Sequence, residues 1–131
     1  MTRPFAFIVI GALVASGCAA APTSSTDVLC TLNLEPALVV YVSDSVSAAP
    51  LAARAVGVAR DGGFVDTLRP KLFSSAGVLV ARSGADERAG TYRVSISVSG
   101  YQDWTSAAIV VTRNVCHVNT QTLQARLRPA P

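Results

Sequence analysis

Gly90-Thr91-Tyr92-Arg93-Val94-Ser95-Ile96-Ser97-Val98-Ser99-Gly100-Tyr101 decides the fold class of this chain. Tyr92, Val94, Ile96 and Val98 alternate with Arg93, Ser95, Ser97 and Ser99, so Thr91 to Ser99 has one dry face and one wet face. Period two marks a half-buried β-strand, because successive side chains leave a pleated backbone on opposite sides. Gly100 ends the strand.

Six further segments read as strands around it. Ala37 to Ser43 places Leu38, Val40 and Val42 on one face. Arg54 to Arg60 and Phe64 to Arg69 flank Asp61-Gly62-Gly63, a strong hairpin signal. Val78 to Arg82 is a short strand, and Asp86 to Gly90 is a polar turn before the main one. Ser106 to Thr112 follows. In Thr120 to Arg128, Leu123, Ala125 and Leu127 face inward and Gln124, Arg126 and Arg128 outward, before Pro129 closes the domain. Ala48 to Arg54 is rich in alanine, but Pro50 and the flanking serines make it a loop. Seven short antiparallel strands predict an all-β, two-sheet Greek-key sandwich over residues 30–131.

The same stretches carry a family resemblance. Gly90 to Tyr101, with its Gly-x-Tyr start and Gly-Tyr end around an alternating strand, resembles the hallmark of carboxypeptidase regulatory-like domains. Asp44, Pro50-Leu51-Ala52 and Ala55-Val56-Gly57-Val58 are similar to that family's segment before its second strand. Asp61-Gly62-Gly63-Phe64 is similar to its turn. The resemblance spans about Leu38 to Val111. It implies a prealbumin-like seven-stranded sandwich, broadly immunoglobulin-like, that serves as an accessory module without catalysis. Cys116-His117-Val118-Asn119-Thr120 departs from the pattern.

The N-terminus addresses the chain to a compartment. Met1-Thr2-Arg3 is positive, Phe5 to Val14 is apolar, and Ala15-Ser16-Gly17 are small, which is the order of a secretory signal peptide over residues 1–17. The apolar run is about half of the roughly 20 residues a membrane-spanning helix needs. Val14-Ala15-Ser16-Gly17-Cys18-Ala19 resembles the bacterial lipobox, with Ala15 where leucine is usual. That resemblance implies a lipid on Cys18 and hence a bilayer as partner; two or three acyl chains hold a protein on a membrane where one does not. Ala19 stands where an aspartate would favour the inner membrane, so the expectation is the outer membrane, facing the periplasm or the exterior. Ordinary secretion with a cut after Ala21 is the alternative, and Pro22 opposes it beside the scissile bond. The small, polar stretch that follows cannot order itself by apolar burial, so residues 18–29 read as a flexible tether.

Three cysteines are present. With Cys18 assigned to lipid, Cys30 and Cys116 remain as an even pair in an oxidising compartment and read as a disulfide. The competing use of Cys116 with His117, as a metal site or nucleophile, needs further ligands, and His117 is the sole histidine.

Composition excludes other chemistry. Eleven basic residues against 8 acidic ones give a net charge of +3, scattered along the chain without a basic run, so nucleic acid is not a partner. No Gly-x-Ser-x-Gly, Gly-x-Gly-x-x-Gly or phosphate-binding loop occurs. Asp86 and Glu87 are neighbours whose side chains diverge in an extended segment, which spoils joint acid–base work. Asp61 and Asp66 straddle a hairpin as a weak calcium signal. A transthyretin-like hydrolase shares the implied fold but uses more than one histidine, and Arg128-Pro129-Ala130-Pro131 is unlike its tail. Tyr101 and Trp104 follow the main strand; they either cap the open end of the sandwich or form an aromatic platform for a sugar or peptide. The expectation is a lipid-anchored, non-catalytic binding or structural module without cofactor or metal. Its partner is an envelope protein or a glycan, the alternative reading being carbohydrate or peptidoglycan binding through Tyr101 and Trp104.

Overall fold

A computed structural model describes residues 28–131. The signal segment 1–17, Cys18 and all but the last two residues of the tether lie outside the described residues. Nine strands follow one another: β1 (Leu38–Asp44), β2 (Val56–Asp61), β3 (Phe64–Thr67), β4 (Arg69–Phe73), β5 (Leu79–Gly84), β6 (Gly90–Ser97), β7 (Trp104–Thr105), β8 (Ile109–Val111) and β9 (Gln121–Leu127). They form a four-stranded sheet, β4-β5-β1-β9, and a five-stranded sheet, β3-β2-β6-β7, in which β8 pairs with the start of β6. The sheets pack face to face as a β-sandwich.

The alternation in β6 builds the core. Tyr92, Val94, Ile96 and Val98 are buried, and the intervening residues face solvent. From the opposite sheet, Leu38, Val40 and Val42 of β1 and Ala125 and Leu127 of β9 meet them. Leu51, Ala52 and Ala55 of the connection between β1 and β2 are also buried, so this loop plugs the core. Gly100 adopts φ 84° in the turn after β6, a conformation that costs glycine no Cβ strain.

Three features differ from the sequence expectation. Phe64 to Arg69 breaks at Leu68, where β3 ends and β4 begins, and β4 runs on to Phe73, beyond the expected strand. Leu68 turns inward to 1% exposure between them and donates its N–H to the Gly57 carbonyl, while the chain passes from one sheet to the other. The Arg82 guanidinium holds that corner by donating to the Leu68 and Ala52 carbonyls. Of Ser106 to Thr112 only Ile109–Val111 is a strand, β8, and β7 at Trp104–Thr105 precedes the expected segment. The Ser106 hydroxyl accepts the Val94 N–H and donates to the Ala107 carbonyl, so a side chain enters the ladder and separates β7 from β8. These breaks give nine strands where seven were expected. Finally, β9 runs parallel to β1, in register from Leu38 opposite Gln121 to Asp44 opposite Leu127. The connection from β8 carries the chain back to the start of β1, where the Gln121 N–H bonds to the Ala37 carbonyl and the Thr120 hydroxyl to the Pro36 carbonyl.

Candidate functional site

One end of the sandwich is pinned by a disulfide between Cys30 and Cys116, with Cα atoms 5.2 Å apart. The adjacent residues form a polar clamp. His117 Nδ1 lies 2.6 Å from Glu87 Oε1, and His117 Nε2 is hydrogen-bonded to Thr31 Oγ1 across 2.9 Å. Glu87 Oε1 also accepts the Glu35 N–H, and the Glu87 N–H donates to the Glu35 carbonyl. The Asn114 side-chain oxygen accepts the Cys116 and His117 N–H groups and shapes the loop. Segment 28–36 is therefore held against loop 113–118 by one covalent bridge and the side chains of Thr31, His117 and Glu87.

Glu87 carries the tension of this arrangement. Its backbone adopts φ 53°, and its Oε2 atom is buried without a hydrogen-bond partner among the described residues. The Glu35 N–H, then the His117 ring, hold its carboxyl below the usual glutamate range against the opposing effect of burial. Hydroxyl, imidazole and carboxylate stand in the order of an activated nucleophile. Sequence reasoning missed this grouping, because Thr31 and Glu87 lie 86 and 30 residues from His117. By tying segment 28–36 to loop 113–118, the three side chains act as a clamp.

Tyr101 and Trp104 stand at the other end of β1, and they have different surroundings. The Tyr101 hydroxyl donates to Asp44 Oδ2 at 2.7 Å. Asp44 Oδ1 accepts the Val46 and Ser47 N–H groups at 2.7 and 2.9 Å. The Ser47 N–H, the Tyr101 hydroxyl and the Val46 N–H together lower the Asp44 carboxyl, and the same bond raises Tyr101. Arg54 lies 5.9 Å from the centre of the Tyr101 ring, within cation–π range. Tyr101 is thus a strut between the β6–β7 turn and the end of β1. Trp104 packs partly on the core and lines a cleft of about 300 Å³ with Gln102, Asp103, Arg126 and Arg128. Tyr101 is not part of that lining.

A larger cavity, of about 400 Å³, lies under loops 45–50 and 74–78, where Tyr41, Ser43 and Gln124 meet Pro50, Val78 and Val80. No charged side chain lines it. Ala48, at its rim, has φ 60°. The signal for this cavity was Tyr41, the aromatic position opposite the inward Val40 and Val42; the covering loops gave none.

The carboxylates weighed as acid–base or calcium groups are engaged separately. Asp86 pairs with Arg69 at 2.5 Å, and Asp61 with Arg88 at 2.6 Å. Asp66 accepts the Ala85 N–H at 2.7 Å. Asp86 and Glu87 face different partners, but they do so in a turn with Glu87 at φ 53°, not in the extended segment that was expected. Among the described residues no cluster of three or more His, Cys, Asp or Glu side chains is placed to hold a metal ion. No protein-family model matches the chain, and no curated protein matches it.

Proposed function

We propose that this chain is a bacterial envelope lipoprotein, anchored through an acylated Cys18, whose β-sandwich is a non-catalytic binding or structural module. One observation carries the reading. Cys30 and Cys116 are joined to each other, so Cys18, behind an apolar run and three small residues, is the cysteine outside the bridge. A structural disulfide also suits export, because reducing compartments do not sustain one. The resemblance of Gly90 to Tyr101 to carboxypeptidase regulatory-like domains supports an accessory role and a prealbumin-like Greek-key arrangement. Ala19 favours the outer membrane. The test is metabolic labelling with a fatty acid: the wild-type chain should incorporate label and Cys18→Ser should not, whereas an unlabelled wild-type chain refutes the anchor.

The second reading is binding of a carbohydrate, such as peptidoglycan, at the end that holds Trp104. It is favoured by the cleft that Trp104 shares with Gln102, Asp103, Arg126 and Arg128, an aromatic wall beside amide, carboxylate and guanidinium groups. Tyr101 contributes to this reading by fixing the turn.

A further inference from the structure

Four large aliphatic side chains crowd the disulfide end and are exposed: Leu29 at 93%, Leu32 at 102%, Leu34 at 69% and Val115 at 79%. Single exposed aliphatics are ordinary, but a group of them rimmed by polar residues marks an interaction surface. The Cys30–Cys116 bridge joins the residue after Leu29 to the residue after Val115, so the two segments that carry these side chains meet at this end. The clamp of Thr31, His117 and Glu87 holds the patch in place.

We propose that this end of the sandwich is a membrane-contact surface, with Leu29, Leu32 and Val115 entering the interfacial region of a lipid bilayer. The proposal rests on the anchor reading for its reach. An extended chain spans at most about 3.6 Å per residue, so residues 19–27 keep Val28 within roughly 35 Å of Cys18. The patch begins where the tether ends, so it stands within that reach of a lipid on Cys18. Asp44, Tyr101 and Trp104 lie beyond it, at the other end of β1.

Charge agrees with a lipid occupant. Residues 28–34, Val-Leu-Cys-Thr-Leu-Asn-Leu, carry no charge. Glu35 borders this run, and the Glu87 carboxylate is turned into the clamp. Arg113, whose guanidinium donates to the Glu87 and Cys116 carbonyls, supplies a cation at the rim for anionic headgroups. Aliphatic side chains framed by a cation suit the apolar–polar boundary of a membrane.

Brominated lipids quench tryptophan emission at short range, and Trp104 is the sole tryptophan. The mature protein, purified from the cell envelope, is placed in phosphatidylethanolamine–phosphatidylglycerol vesicles with brominated or ordinary acyl chains. Wild type is compared with Trp104→Phe chains carrying Leu32→Trp or Val115→Trp, and the mass of the N-terminal peptide is read in parallel. Leu32→Trp and Val115→Trp should lose most of their emission in brominated vesicles while Trp104 keeps its own. An acylated Cys18 with no quenching at positions 32 and 115 overturns the contact surface and leaves the anchor standing. Quenching there without acylation sustains the surface and removes the anchor. Neither acylation nor quenching refutes both.

Discussion

Cys30 and Cys116, separated by 86 residues, join the segment before β1 to the loop before β9. The two strands that follow these cysteines then run parallel and in register along their whole length. The bridge thus closes the sandwich at the point where the last strand returns to the first.

Breaking it should be costly without erasing the fold. In the chain-entropy account, a loop of 86 residues implies on the order of 4 to 5 kcal/mol, and removal of such bridges from small exported domains costs about 2–5 kcal/mol. The double variant Cys30→Ser, Cys116→Ser should show a urea midpoint lowered to match. Its circular dichroism below the transition should stay β-type, because the β1–β9 ladder and the core are intact. An unchanged midpoint would show that the bridge stabilises nothing.

Acid should loosen both ends of the molecule. Asp44 and Glu87 are held below their ordinary values of 3.8 and 4.5 by hydrogen bonds made only in the folded chain. A carboxyl lowered on folding contributes stability that is present above its unfolded pKa and is lost as pH falls through the folded one. The melting temperature should therefore hold from neutrality to the ordinary carboxylate range and fall below it. Asp44→Asn should flatten the acid limb and lower the plateau; a wild-type melting temperature that rises on acidification would contradict this.

Gly57 tests the packing between β2 and the Leu68 corner. A Cβ there would stand 2.8 Å from both Ile96 Cδ1 and Leu68 Cδ1, two buried side chains with little room to move. Gly57→Ala should cost about 1–3 kcal/mol through overpacking. Calorimetry of the variant checks it, and a neutral result would place Leu68 elsewhere.

Tyr101 and Trp104 should separate in their effects. Tyr101→Phe removes the bond to Asp44 and should lower the melting temperature, with any glycan binding kept. Trp104→Ala removes a wall of the cleft and should abolish such binding on a peptidoglycan-fragment array. Binding that survives Trp104→Ala but not Tyr101→Phe would reverse the assignment.

The strand pattern was legible where one side-chain property repeats. Tyr92, Val94, Ile96 and Val98 announce β6 because the core needs every second residue dry. The breaks at Leu68 and Ser106 were not, because each depends on a distant partner: Gly57 and Arg82 for one, the Val94 N–H for the other. The parallel direction of β9 was hidden for the same reason, since alternation is identical in parallel and antiparallel strands. At the candidate site, cysteine counting anticipated the bridge. Nothing near His117 in sequence announced Thr31 or Glu87, whose roles arise only when the bridge brings segment 28–36 onto loop 113–118.

We propose that Cys18 carries the lipid that places this sandwich on a membrane. Mass spectrometry of the N-terminal peptide, from protein purified out of the cell envelope, decides the matter. The expected peptide begins at Cys18 and is heavier by a diacylglyceryl group, with or without a further acyl chain. A peptide beginning at Pro22, or one beginning at Cys18 at its unmodified mass, would contradict it.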